Sequence, residues 1–286
     1  MDFKEHLQLA HQSEKSIKEH LANVGRFQKW AAAEQLKTET ANYRDLLGWV
    51  QHLKTKKLAI STVNNHLSSL TKYYSHLIEA GKVETNPANR LRIKGQVKKV
   101  YHNQLKPEQL DELYEQIKAP REYREQKQIH THQRTTVLLS LHIYQAARSG
   151  ELKKLEVNHI DLDKGEIYLP SGSRSNSRTL KLHPGQILPL YSYIHQTRSV
   201  LGISDEKMFR QIDSTLMQLT NQLLCYRDDI TLKQIRASVI ISWVRQHGLR
   251  KAQQMAGHKY ISSTEHYRQQ DMESLQNALL KYHPTA

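Results

Sequence analysis

The stretch Thr231–Tyr267 reads TLKQIRASVIISWVRQHGLRKAQQMAGHKYISSTEHY. Leu232, Ile235 and Val239 recur at helical spacing and define one apolar face. Lys233 and Arg236 lie three residues apart, so a helix anchored by that face aims both cations the same way. The pattern predicts helices over 231–247 and 249–256. Ala256-Gly257-His258 follows, where a glycine permits a tight turn or a close approach of the backbone. Two phenols come next, Tyr260 and Tyr267, and local spacing does not choose between them.

Cations, an imidazole and a phenol in one short stretch suit attack on a phosphodiester without a metal. The non-bridging oxygens gain charge in the transition state, and guanidinium forks suit them. A tyrosine becomes a nucleophile where a cationic pocket favours its phenolate. Imidazole can donate to the phosphate or help move the tyrosine proton. A further cation, Arg148, stands where an apolar helix ends, in YQAARSGEL. A charge at the end of a buried helix needs a partner or a ligand, and Glu151 is the local candidate.

Composition agrees. The 286 residues carry a formal charge of +14, and the isoelectric point is near 9.7. That balance favours a polyanionic partner, nucleic acid above all. The excess is spread: residues 1–103 hold 17 Lys and Arg against 9 Asp and Glu. Both halves are therefore suited to touch a phosphate backbone. Cys225 is the only cysteine, which excludes an internal disulfide and a multi-cysteine zinc site; it reads as a small buried hydrophobe. With no long apolar run and no apolar signal core, the expected place of work is the cytoplasm, beside the nucleoid, with no membrane partner.

Along the chain, helices are expected at 13–33, 43–56 and 61–80. Ser61 or Thr62 caps the last of these and Gly81 ends it. Asn86-Pro87-Ala88 turns the chain. Residues 94–104, with three lysines and no apolar period, read as a linker. Helix 107–118 follows, then a polar segment 119–134, and an apolar helix from Thr135 to about Ala147. A short helix begins at Ser149 or Gly150. Glu166–Leu169 and Thr179–Leu182 read as antiparallel strands around a Gly/Ser-rich loop, residues 171–178. Helices resume at 186–200 and 213–226, and a last one is expected at 271–281. The fold class is mainly α with a small antiparallel sheet in the C-terminal domain. No nucleotide-binding glycine loop and no His-Glu-x-x-His is present, and neither a cofactor nor a metal is expected.

Taken together, these segments resemble the tyrosine recombinase, or phage integrase, family. AARSGEL resembles its arginine segment and points to Arg148. Lys233-Gln234-Ile235-Arg236 resembles its His-x-x-Arg box. Met255-Ala256-Gly257-His258 resembles its Leu-Gly-His segment. Thr264-Glu265-His266-Tyr267 resembles its Thr-x-x-Tyr segment and selects Tyr267 over Tyr260. The resemblance implies a two-domain DNA clamp: a SAM-like core-binding domain over 1–93, a linker over 94–104 and a catalytic domain over 105–286. It implies cleavage of double-stranded DNA through a 3′-phosphotyrosyl link, rejoining by a partner strand, a tetramer on DNA and accessory DNA-bending proteins. Two departures stand out. Lys233 occupies the place of the box histidine. The hairpin lysine, the family's proton donor to the leaving oxygen, has no counterpart; Arg174 is the nearest cation, and Lys181 or Lys233 could supply the proton instead. An alternative is a DNA-binding protein of this fold with impaired chemistry. Helix 61–80 is expected to face a groove through Asn64, Asn65, Ser68 or Lys72.

Overall fold

The computed structural model describes residues 2–95, 104–120, 122–123, 125–172, 175–227 and 230–268. The chain divides into two compact units, residues 1–99 and 100–286. The expected helix at 271–281, most of the linker and Arg174 lie outside the described residues.

The first unit is helical: α1 (Phe3–Leu9), α2 (Glu14–Ala33), α3 (Tyr43–Thr55) and α4 (Ile60–Glu79). Helix α1 was not expected from apolar period. A capping box starts it, with Asp2 accepting from the Lys4 and Glu5 amides and Glu5 reaching back to the Asp2 amide. Ser13 caps α2 and Asn42 caps α3. Helix α4 begins one residue earlier than expected, behind Ala59, and no side chain caps it. Ser61 and Thr62 stand exposed in its first turn instead. Gly81 ends it with φ +68. The stripes interlock around Phe27, Trp49, Leu67, Leu70 and Tyr74, all nearly inaccessible. Each such side chain contributes about 2–3 kcal/mol of transfer free energy. Asn64 donates to the Ile93 carbonyl at 3.1 Å and accepts from its amide at 2.9 Å, so it holds the departing chain. That corrects its expected place in a groove-facing set; Asn65 and Ser68 stay exposed.

In the second unit, α5 (Pro107–Lys118) leads to α6 (Gln126–Tyr144). The polar segment is thus partly helix: α6 starts well before Thr135. Its later turns are buried on every side, with Val137, Leu138, Leu139 and Leu141 inaccessible. Such a helix belongs at the centre, and α6 packs against α5, α8, α10 and α11. After α7 (Ser149–Leu152), strands β1 (Ile160–Asp161), β2 (Glu166–Leu169) and β3 (Arg178–Lys181) form an antiparallel sheet in chain order. Ile167 pairs with Leu180 and Leu169 with Arg178. Then come α8 (Pro184–Ser192), a wide turn at Tyr193–Thr197, α9 (Arg198–Val200), α10 (Ile212–Tyr226) and α11 (Leu232–Ala256). Gly248, at φ 76 and ψ 169, kinks α11 into the two helices expected from the sequence. Residues 261–268 are helical. Cys225 is exposed, not buried, because on α10 the neighbouring positions Leu219 and Leu223 take the core face. No described helix is long and apolar enough to cross a membrane.

Candidate active site

The site gathers on the ends of elements. As α6 ends, Ala146 takes a left-handed turn at φ 46, and the Ala147 amide donates back to the Leu141 carbonyl at 3.1 Å. This tight exit places Arg148 just before α7. The Arg148 amide donates to Glu151 Oε2 at 2.9 Å. The Glu151 carboxylate has a second, buried partner. Arg178 grips it with two parallel bonds, 3.0 and 3.1 Å, and the two side chains are only 5% and 1% exposed. These bonds and the Arg148 amide overcome burial and hold the Glu151 carboxyl below its ordinary range.

Thr231 caps α11, and the helix carries Lys233 exposed and Arg236 buried. Arg236 Nη2 donates to the Ala256 carbonyl at 3.0 Å and to His258 Nε2 at 3.3 Å. A guanidinium only donates, so Nε2 accepts. The His258 proton therefore sits on Nδ1 and is donated to Thr264 Oγ1, 2.8 Å away. Burial, then the Arg236 and Arg148 charges, push His258 down to about 3, so the ring is neutral. Burial and Arg148 likewise lower Arg236, to about 10, and it stays charged. Arg236 Nη1 is buried and has no hydrogen-bond partner among the described residues.

The Tyr267 ring lies against His258, centroids 5.7 Å apart and planes within 10°. Tyr267, Arg148, Ser149, Lys233, Arg236 and His142 line one cleft of about 340 Å³. Tyr260 is 67% exposed and lines none of it. Of the expected residues, Arg148, Lys233, Arg236, His258 and Tyr267 are thus brought together, and Arg174 lies outside the described residues. Lys181 pairs with Glu166 at 2.9 Å on the exposed face of the sheet.

Three contributors were not found by sequence reasoning. Arg178 lies 27 residues from Glu151, beyond any helical or strand period. In the sequence Thr264 stands out only as part of the tyrosine segment. His142 interrupts the apolar run of α6, and that interruption is its only signal in the sequence. The hairpin is docked as well: the Asn176 amide donates to the Gly257 carbonyl at 2.9 Å, and Ser175 bridges to His258. Gly257, at φ +66, leaves room for this; a Cβ there would stand 2.6 Å from Arg178 Nη1.

A model described as the phage integrase family matches residues 103–274, and one described as the N-terminal SAM-like domain of phage integrases matches residues 1–81. The chain belongs to the tyrosine recombinase, or phage integrase, family. Among curated tyrosine recombinases it is 26% identical over 246 residues to XerC of Roseiflexus castenholzii, covering 80% of this chain and 74% of that protein. It is 24% identical to XerC of Lacticaseibacillus casei, covering 99% and 97%. The crystal structure of the XerH site-specific recombinase bound to palindromic difH substrate superposes with a TM-score of 0.72. That match has 15% identity and covers 92% of this chain and 78% of that one, so it speaks for the fold.

Proposed function

We propose that this protein cuts and rejoins double-stranded DNA at specific sites through a 3′-phosphotyrosyl intermediate on Tyr267. The observation that carries the reading is the cleft in which Tyr267, backed by the neutral His258 ring, faces Arg148, Lys233 and Arg236. Arg148 and Arg236 hold the non-bridging oxygens and offset their growing charge. Tyr267 gives up its phenolic proton to water, its Oη–phosphorus bond forms, and the bond from phosphorus to the 5′ oxygen breaks. Energy of the broken ester is kept in the new one, so rejoining by a 5′-hydroxyl needs no nucleotide.

The leaving oxygen takes a proton from Lys233. An ammonium can give one, whereas a guanidinium cannot at ordinary pH. Lys181 is committed to Glu166 and lies outside the cleft. Arg174 is assigned an electrostatic part beside the phosphate. Double-stranded DNA is the partner. Exchange of strands requires two duplexes, and we assign it to a tetramer on DNA assisted by DNA-bending proteins. In the first unit, Asn65, Ser68 and Lys72 of α4 are the assigned groove and phosphate contacts.

The test is covalent capture on nicked DNA carrying the cognate site, first recovered by sequencing DNA that the protein enriches. An adduct that survives denaturation, maps to Tyr267 and is absent from Tyr267→Phe is the expected result. Specific binding with no adduct would replace this reading with a DNA-binding protein of the same fold. Lys233→Ala is expected to cut ordinary DNA slowly, but to recover on DNA whose leaving oxygen is replaced by sulfur, which needs no proton. Failure of that rescue would remove the proton-donor role.

A further inference from the structure

His142 lies on α6, 2% exposed, yet it lines the same cleft as Arg148, Lys233, Arg236 and Tyr267. A buried imidazole needs a reason to be there, since Leu would fill an apolar helix at no polar cost. Its Nδ1 is 2.8 Å from the Leu138 carbonyl. A carbonyl only accepts, so the proton sits on Nδ1 and Nε2 carries a lone pair. Burial first, and the Arg236 charge as well, push His142 down to about 4, so the ring is a neutral acceptor at working pH. Facing charges include Arg236 and Glu151, with Arg148, Lys233 and Tyr267 around the cleft.

Arg236 presents the complementary need. Its Nη2 is tied to Ala256 and His258, while Nη1 is buried without a hydrogen-bond partner among the described residues. A guanidinium held along one edge can still rock about it. His142 lines the same cleft and feels the Arg236 charge, and a neutral acceptor there can supply the second point, where a cation would repel the guanidinium.

We propose that His142 is a positioning residue for the phosphate-holding guanidinium: its Nε2 lone pair receives Arg236 and fixes the plane of the fork as DNA enters. This rests on the reading of Arg236 as a phosphate ligand. His142 forms and breaks no bond to DNA and moves no proton.

The test compares His142→Leu and His142→Gln with wild type in single-turnover cleavage of the cognate site, alongside DNA affinity and thermal midpoint. Leu removes the acceptor and fits the apolar surroundings; Gln keeps an acceptor oxygen. The expected result for His142→Leu is a cleavage rate lower by about 10- to 100-fold. Affinity and thermal midpoint stay near wild type, and His142→Gln recovers most of the rate. A His142→Leu variant that cuts at the wild-type rate would overturn the proposal. So would equal losses in both variants at unchanged thermal midpoint. Arg236→Ala separates the two levels of argument. If it cuts normally, the reading of the site fails; if it is inactive while His142→Leu is normal, only the His142 inference fails.

Discussion

At the scale of the residue, the site depends on charges taken out of water in matched sets. Glu151 and Arg178 are a buried pair with two short bonds. Removing one partner strands the other, so Arg178→Met is expected to cost about 3–5 kcal/mol in urea unfolding. The double change Glu151→Leu with Arg178→Met is expected to cost less than the single one, which a double-mutant cycle reads directly. His142 and His258 set the acid limit. Both fall well below the ordinary 6.5 in the fold, to about 4 and about 3. Between those values the unfolded chain binds more protons than the folded one. Their contribution is therefore full above about pH 6.5 and is lost as pH falls towards about 4, at about 1.4 kcal/mol per unit for each ring. Urea midpoints taken from pH 7 to pH 4.5 are expected to fall, and His142→Leu is expected to flatten the slope.

At the scale of the element, α11 and the turn after it hold most of the site. Gly248 and Gly257 adopt φ 76 and φ 66, where a side chain is strained. At Gly257 a Cβ also meets Arg178 and the Asn176 carbonyl. Gly257→Ala is expected to destabilise by about 2–3 kcal/mol and to abolish cleavage by displacing His258. Gly248→Ala has open space around it and is expected to cost about 1 kcal/mol from backbone strain alone. Chemical unfolding of the two variants separates clash from strain. Element positions were largely legible in the sequence because apolar period survives in it: α2, α3, α5 and both halves of α11 lie where the stripes put them. The misses have physical causes. Ala59 precedes α4 without a side-chain cap, so cap chemistry pointed to the wrong residues. Asn64 is spent on Ile93, 29 residues away, and Glu151 on Arg178; no local period encodes such partners. The five clustered site residues were legible through their segments, but the tautomer of His258 and the place of His142 follow from packing alone.

At the scale of the whole molecule, each unit has its own core. Phe27, Trp49 and Tyr74 belong to one and Leu138, Tyr193 and Ile240 to the other. Leu70→Ala is expected to cost about 3 kcal/mol and to lower one calorimetric transition while leaving a second in place. With a net charge of +14, affinity for DNA is expected to fall by orders of magnitude between about 50 and 200 mM salt. Titration across that range reads the number of phosphates engaged.

The exposed Cys225 on α10 has a practical side. A single outward thiol is a natural attachment point for one fluorophore per chain, so energy transfer between labelled copies tests whether protomers gather on DNA and counts them if they do. The same thiol is open to air. Unreduced stocks are expected to show a covalent pair on non-reducing gels that owes nothing to DNA, and Cys225→Ser removes it.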